Sequence, residues 1–248
     1  MTNCYVEYPP PAGLRAQVEC FWSRTASSHA LDETRVLPDG CVDIVLGFNG
    51  ALSFAQVVGT MTRPLLVRDR ECTSMAGVRF RPGYARLVFG LPASELTDLR
   101  IPLEEVWQDA GALLDRLAPL PGALSAVVAL RRTLEERLKG VSAAPRDVNA
   151  AIERVVLAQG NLRIGALGQA LGLTRQHLAR QFAEHVGISP KLFARVVRLR
   201  SVLARIRNAN EVEWSALALS HGFFDQSHLI DDFRALTGLP PARWLRGG

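Results

Sequence analysis

The sequence predicts an α+β protein in which an antiparallel, barrel-like β-domain with trailing helices precedes an all-α domain of seven helices. Two observations carry this prediction. Short apolar or alternating segments bounded by Gly and Pro fill the first hundred residues, whereas apolar residues recur at helical spacing from about residue 104 onward. Residues 140–145 are small and uncharged and end in Pro. We therefore expect domains over residues 1–140 and 146–248, joined by a linker over 141–145.

The expected strands lie in three segments. Residues 18–23 alternate between apolar and polar side chains, which predicts a strand that is buried on one face. Residues 41–48 form a second strand, and the Asn49-Gly50 pair after it predicts a hairpin with a type I′ turn. A third strand over residues 73–80 ends at Pro82-Gly83.

The helices expected after these strands cover residues 104–107, 112–117 and 123–139. Apolar side chains of the last helix are expected on one face: Leu124, Val127, Val128, Leu134 and Leu138. That face suits two arrangements, packing on the chain's own β-domain or forming a homodimer.

The seven helices of the second domain follow from apolar periodicity, capping residues and glycine stops. They cover residues 146–159, 164–171, 174–185, a long segment from 189, 214–220, 225–236 and 240–245. Thr174, Ser189 and Asp225 are the expected N-caps, because their side-chain oxygens can accept from the first free backbone N–H groups.

The positive charge of the chain is concentrated in this second domain. Residues 146–248 hold 14 Arg and Lys against 8 Asp and Glu, while residues 1–145 hold 15 against 16. A basic domain beside a near-neutral one predicts a polyanionic partner. No apolar run is long enough to span a membrane, and the first residues lack the features of a signal peptide, so we expect a cytoplasmic protein.

Residues 167–182 have the pattern of a helix-turn-helix unit. A short apolar helix is followed by Gly172 at the turn and Leu173 in the gap between helices, and Thr174 then caps a helix whose Leu178 and Phe182 point inward. The second helix of such a unit contacts DNA bases through exposed polar side chains, which makes Arg175 a candidate contact.

A second unit repeats this pattern over residues 217–233. Gly222 stands at its turn, Phe223 in the gap and Asp225 at the cap, 51 residues after the first cap. The long helix between the units spans about 27 Å if it has about 18 residues, and adjacent major grooves lie about 34 Å apart. One chain can therefore reach two grooves. Near one face of the long helix lie three arginines predicted to contact phosphate, Arg195, Arg198 and Arg205.

The second domain resembles the AraC/XylS family of bacterial transcription regulators. The residues that carry the resemblance are 187–191 (GISPK), 222–233 (GFFDQSHLIDDF) and 237–241 (TGLPP), and the similarity covers about residues 146–246. It implies a sequence-specific transcription factor whose two recognition helices enter adjacent major grooves of double-stranded DNA, with RNA polymerase as a protein partner.

Carried over by position, the base-contacting residues of the family fall on Gln176, Ala179 and Arg180 in the first unit and on Gln226, Ser227, His228 and Asp231 in the second. Two of them depart from the family pattern. Ala179 offers only an apolar contact, for instance to a thymine methyl group. Asp231, followed by Asp232, puts an acidic pair where a donor is usual, so we expect the first unit to carry more of the specificity.

The first domain resembles, less closely, the regulatory domain of one AraC-like subgroup, through residues 36–43 (VLPDGCVD), 78–83 (VRFRPG) and 92–98 (PASELTD). Such domains often bind an effector or dimerise. The candidate effector residues are Asp39, Asp43, Arg79 and Arg81. Two interpretations stay open: a pocket for an anionic effector, or a turn with ion-paired arginines beside a core cysteine.

An enzyme is disfavoured by the motifs that are missing. The sequence has no GxSxG, P-loop or HExxH motif, and His29 is the only histidine before residue 145, too few for a cupin-type metal site. The four cysteines, Cys4, Cys20, Cys41 and Cys72, form no CxxC pair. We expect no catalytic residues, no metal and no cofactor. The alternative is a small-molecule-binding or enzymatic β-barrel protein whose helical domain serves protein interaction.

Overall fold

The computed structural model describes residues 4–25, 33–68, 72–120, 122–140, 144–207 and 211–246. His29 and residues 141–143 of the expected linker lie outside this part of the chain. The part up to residue 140 is called the β-domain below, and residues 144–246 the helical domain.

The strands of the β-domain are β1 (Cys4–Tyr8), β2 (Val18–Thr25), β3 (Glu33–Val36), β4 (Val42–Asn49), β5 (Ala51–Val58), β6 (Leu65–Arg68), β7 (Ser74–Phe80) and β8 (Arg100–Pro102). Six of them pair antiparallel in the order β1-β2-β7-β4-β5-β8, and β3 pairs with β6 in a separate two-stranded ribbon. The predicted antiparallel, barrel-like fold is confirmed, in an open form.

The helices are α1 (Ala85–Phe89), α2 (Leu103–Val106), α3 (Ala110–Leu117) and α4 (Ala123–Arg137) in the β-domain. Those of the helical domain are α5 (Arg146–Leu157), α6 (Ile164–Ala170), α7 (Arg175–His185), α8 (Pro190–Ile206), α9 (Trp214–Ser220), α10 (Gln226–Thr237) and α11 (Pro241–Trp244). All seven helices expected after residue 145 are present. Among the described residues, no helix is long and apolar enough to cross a membrane.

Two expectations about the strands are corrected. β2 is buried on both faces, because Phe21 belongs to the main core while Cys20 and Trp22 pack in a second cluster on the other side of the sheet. The β4–β5 hairpin is present, but Asn49 lies within the strand pairing and only Gly50 has a positive φ, of 79°. A type I′ turn needs two such residues, so the predicted turn type is wrong.

Helix α4 packs on its own domain, against β2, β4 and β7. Leu130 and Leu134 are fully buried there, together with Val127. Leu124 and Val128, which were expected on the same face, are instead 62% and 55% exposed. The interpretation that α4 packs on its own sheet is confirmed. The homodimer stays a prediction, in which Leu124 and Val128 would lie at the interface.

The helical domain is built around α8, whose Phe193 packs at 5.8 Å between ring centroids against Phe182 of α7. Two hydrogen bonds tie the end of α7 to the β-domain. Thr60 donates its hydroxyl to the carbonyl oxygen of Val186 at 2.6 Å, and Thr97 donates to that of Gly187 at 2.7 Å. The two domains therefore share a hydrogen-bonded contact at the C-terminal end of the first recognition helix.

Candidate nucleic-acid interface

The first helix-turn-helix unit comprises α6 and α7. Its turn passes through Gly172 with a φ of 67°, and Leu173 closes the turn by donating its N–H to the Gly168 carbonyl at 2.9 Å. The Thr174 hydroxyl accepts from the backbone N–H of His177 at 3.2 Å, as an N-cap does. The turn and the cap together fix where α7 begins.

The inward side chains of α7 are Leu178 and Phe182, both buried. Its outward side chains are the predicted contacts Arg175, Gln176, Ala179 and Arg180, all exposed. The side chains assigned to DNA are therefore open to solvent along one side of a firmly packed helix.

The second unit, α9 and α10, repeats this construction. Gly222 has a φ of 74°, and Phe223 closes the turn by donating to the Ala218 carbonyl at 3.0 Å. The Asp225 carboxylate accepts from the His228 N–H at 2.8 Å. The predicted contacts Gln226, Ser227, His228 and Asp231 are all exposed on α10.

The acidic pair expected on α10 is not a pair on the surface. Asp231 is exposed, whereas Asp232 is buried and bound by Arg195 of α8, whose Nη2 lies 2.7 Å and Nε 2.9 Å from its Oδ1. Asp232 therefore neutralises an arginine inside the domain. Only one acidic side chain of this helix faces outward.

The arginines of α8 divide into internal and external ones. Arg198 donates from Nη1 to the Gly222 carbonyl at 3.1 Å and lies over the Phe223 ring at 4.9 Å. Burial lowers the pKa of Arg198. Arg195 is paired to Asp232, so both side chains already have partners within the domain, whereas Arg205 is exposed. The phosphate contact of all three arginines stays a prediction.

A group that the sequence analysis did not single out surrounds Arg180. The Arg180 Nη2 lies 3.1 Å from Nδ1 of His177, and Nε2 of the same imidazole lies 3.3 Å from Oδ2 of Asp147, on α5. A signal was present in the sequence, because His177 and His228 occupy the same position after their caps. The partner Asp147 lies 30 residues earlier, and only the folded chain shows it.

The candidate effector residues form an ion-paired cluster. The Nε of Arg79 lies 3.1 Å from Asp39 and 3.4 Å from Asp43, and Trp22 donates its indole N–H to Asp43 at 3.1 Å. Burial raises the pKa of Asp43 to about 6, although the Arg79 charge opposes the shift. Burial also raises the pKa of the Cys41 thiol. The arrangement matches the interpretation of a turn and an ion-paired arginine beside a core cysteine.

Arg81 does not join this cluster. Its Nη1 lies 2.7 Å from the Glu19 carboxylate, and its Nε donates to the Arg15 carbonyl at 3.0 Å. Each arginine therefore has partners of its own, and of the two only Arg79 lines the cavity described next, so an anion site made of both stays a prediction.

A cavity of about 1190 Å³ lies between the outer face of the sheet, the β3–β6 ribbon and helices α8 and α11. Its walls are mainly apolar, with residues such as Phe54, Met61 and Leu203. Six arginines also line it: Arg24, Arg35, Arg79, Arg100, Arg200 and Arg207. One of them, Arg35, donates to the Thr237 carbonyl at 2.9 Å, so the cavity borders the end of the second recognition helix.

In the described part of the chain, no three His, Cys, Asp or Glu side chains are grouped so as to hold a metal ion. Cys20, Cys41 and Cys72 are buried there, and none of the three forms a disulfide with another.

Comparison with known proteins finds matches in two separate parts of the chain. The family model described as "Helix-turn-helix domain" matches residues 167–247, and the one described as "Domain of unknown function (DUF6597)" matches residues 6–102. The XylDLEGF operon transcriptional activator 1 of Pseudomonas putida is 29% identical over 105 residues. That match covers 40% of this chain and 32% of the activator, so the chain spans about a third of that relative.

Among solved structures, ToxT of Vibrio cholerae is similar in its apo form, at a TM-score of 0.47 and 12% identity, over 91% of this chain and 97% of the ToxT chain. ToxT with bound unsaturated fatty acid gives the same TM-score and identity, over 91% and 94% of the two chains.

Proposed function

We propose that the chain is a transcription regulator of the AraC/XylS family, because its helical domain matches a helix-turn-helix family model and is similar to part of a XylDLEGF operon activator. In this proposal, α7 and α10 bind two adjacent major grooves of operator DNA. The proposed DNA-binding domain is residues 146–248, and residues 1–140 form a regulatory domain joined to it by residues 141–145. The function is regulatory and includes no catalytic step.

The observation that supports this proposal is the duplication of the recognition unit. Each unit has a positive-φ glycine at its turn, a hydrogen-bonded cap and an outward helix face of short or polar side chains. A helical bundle with no nucleic-acid role needs no such repeat. The basic excess of residues 146–248 supplies attraction for phosphate.

In the proposed complex, Arg175, Gln176, Ala179 and Arg180 contact bases from α7. Gln226, Ser227, His228 and Asp231 are the candidates from α10. Gln226 already accepts a hydrogen bond from Ser215 at 2.9 Å, and Asp231 repels phosphate. The first unit therefore contributes more base discrimination than the second.

The test begins with capture of genomic fragments on the full-length protein, followed by binding of the enriched duplex across a salt series. Affinity falls steeply with salt if phosphates are bound, because counterions are released. Arg180→Ala costs about 1–3 kcal/mol and relaxes preference at one base pair. Arg131→Ala, which removes an arginine from α4 of the β-domain, is the matched control and leaves binding unchanged. The proposal is contradicted if the affinity for the duplex changes neither with salt concentration nor in the Arg180→Ala variant.

We propose in addition that the cavity between the domains takes a small-molecule effector. Its volume of about 1190 Å³ is somewhat above the roughly 300–1,000 Å³ that is common for ligand pockets, and its walls combine apolar surface with six arginines. The α8 residues Leu203 and Ala204 form part of its wall. A bound molecule therefore touches the helix that connects the two recognition units.

A variant that fills the cavity tests this second proposal. Ala204→Trp places an indole in the space, whereas Ala216→Trp puts the same side chain on the exposed surface of α9 as a control. A compound that raises the melting temperature of the wild type and of Ala216→Trp, but not of Ala204→Trp, binds in the cavity. Equal shifts in all three proteins place the compound elsewhere.

Three further parts of the proposal come from the resemblance and the sequence. They are a cytoplasmic location, a contact with RNA polymerase, and a homodimer that uses the outward side of α4 at Leu124 and Val128. A monomeric mass in solution at all concentrations contradicts the dimer.

A further inference from the structure

We propose that His177 is a positioning residue for Arg180, and that together with Asp147 it sets how well the first unit discriminates between bases. The inference builds on the proposed function, since it concerns the geometry of a side chain assigned to DNA. His177 and Asp147 are not themselves assigned to contact bases, and their proposed contribution is to orient Arg180.

The hydrogen bonds around the imidazole define its state. The guanidinium of Arg180 has only donors, so at 3.1 Å the Nδ1 of His177 must be the acceptor and carries no proton. The proton of the neutral ring is then on Nε2, which donates to Asp147 Oδ2 at 3.3 Å. Asp147 on α5 thus holds the ring, and the ring holds the arginine.

The second unit shows that this arrangement is particular to the first. His228 stands at the same place after its cap as His177, but the residue three positions later is Asp231 instead of an arginine. The imidazole of His228 lies edge-on to Phe223 at 5.4 Å between centroids and accepts the Phe224 N–H at 3.4 Å. A histidine at this position does not by itself position a base-contacting side chain.

Holding Arg180 matters because an exposed arginine has many rotamers to lose on binding. A side chain that is already oriented loses less conformational entropy when it forms two hydrogen bonds to a guanine. This smaller entropy loss strengthens binding to the correct base pair only, because a mismatched base cannot accept both hydrogen bonds from a guanidinium held in this orientation. Loss of the His177 contact therefore lowers discrimination at that pair more than it lowers general affinity for DNA.

The experiment uses the full-length protein and its captured operator. Arg180→Ala first identifies the base pair at which preference is lost. The affinity ratio between the operator and the duplex altered at that pair is then measured for wild type, His177→Phe, His177→Asn and Asp147→Ala. Asparagine keeps an acceptor oxygen near the place of Nδ1. His221→Asn on the second unit controls for the loss of an imidazole elsewhere.

We expect His177→Phe to lower the affinity ratio by about tenfold, as loss of one good bidentate contact does, with little change in affinity for unrelated DNA. His177→Asn keeps most of the ratio, because its side-chain oxygen replaces the Nδ1 acceptor, and His221→Asn leaves the ratio unchanged. Asp147→Ala gives an intermediate loss. If His177→Phe does not remain folded, the comparison of His177→Asn with Asp147→Ala decides, because the first variant keeps an acceptor for Arg180 and the second removes the group that holds the ring.

Two outcomes overturn the inference in distinguishable ways. A ratio that is unchanged in His177→Phe, or that falls as far in His177→Asn as in His177→Phe, rejects the positioning role and leaves DNA binding through Arg180 intact. If Arg180→Ala relaxes no base pair, the assignment of Arg180 to bases is wrong and the role of His177 fails with it.

Discussion

Arg195 on α8 and Asp232 on α10 form a two-point ion pair, with Nη2 and Nε of the arginine at 2.7 Å and 2.9 Å from one carboxylate oxygen. The pair connects the helix that runs between the two recognition units with the second recognition helix. It also explains why two consecutive aspartates are compatible with a DNA-facing helix. One of them is withdrawn into the domain, and only Asp231 faces outward.

We expect Asp232→Ala to lower the free energy of unfolding by about 1–3 kcal/mol, because it leaves Arg195 half-buried without its charged partner. Urea denaturation of the full-length protein measures the loss. The double variant Arg195→Met with Asp232→Leu should recover most of it, since both charged groups are then removed together. Asp231→Ala, one position away and exposed, should leave stability unchanged, and an equal loss in that variant contradicts the assignment.

Arg198 provides a second comparison within α8. Arg198→Ala removes the donor to the Gly222 carbonyl and the cation over Phe223, so it should destabilise the second unit by about 1–2 kcal/mol. Arg205→Ala removes the same charge from an exposed position of this helix. It should lower only the salt-dependent affinity for DNA. Thermal unfolding and duplex binding, measured on both variants, separate the two roles.

Features that depend on neighbouring residues were predictable from the sequence. The caps Thr174 and Asp225 and the turn glycines act within a few residues, and all lie where they were expected. Helical spacing also contained a signal for Asp232. It lies three residues after buried Leu229 and next to buried Phe233, and so falls on the inward side of α10.

Features that join distant segments were not predictable in this way. The partner of Asp232 is 37 residues away, and the partner of His177 is 30 residues away on another helix. The cavity needs the sheet, the ribbon and two helices of the other domain to be in place before its walls exist. The local sequence pattern does not predict these contacts, because they depend on how the helices and strands pack against one another.

The two turn glycines differ in the space around them, which allows a matched pair of variants. Both have a positive φ, so a side chain at either is strained by about 1–2 kcal/mol. At Gly172 an added Cβ meets nothing within 4 Å, whereas at Gly222 it would clash with the amide oxygen of Asn161. Gly222→Ala should therefore destabilise the protein more than Gly172→Ala. Adding Asn161→Ala to Gly222→Ala should reduce the loss to the Gly172→Ala level, and failure to do so excludes the clash as its cause.

The hydrogen bond from Thr60 to Val186 should contribute to the contact between the domains. Thr60→Val keeps the shape of the side chain but leaves the Val186 carbonyl without this donor, at a cost of about 1–3 kcal/mol. Denaturant unfolding and amide hydrogen exchange over residues 182–188 should both report the loss. Thr60→Ser retains the hydroxyl and should restore protection, so equal behaviour of the two variants contradicts a role for the hydrogen bond.

The raised pKa of Asp43 predicts a dependence of stability on pH. Burial lifts this pKa from 3.8 to about 6 in the folded protein, so the folded state binds more protons than the unfolded state between these values. Stability attributable to this group therefore falls as the pH rises from about 4 to about 6, by up to about 3 kcal/mol for a shift of this size. Asp43→Asn keeps an acceptor for the Trp22 indole and removes the titration.

The quantity to measure is the free energy of unfolding of the wild type minus that of Asp43→Asn, at several pH values from 4 to 7. The difference should decline with rising pH and level off above the folded pKa. Asp115→Asn, on the exposed side of α3, controls for the general effect of removing one negative charge. A difference that instead increases with pH means that the Arg79 charge outweighs the burial of Asp43, because a lowered pKa stabilises the folded protein only once the carboxyl group is ionised.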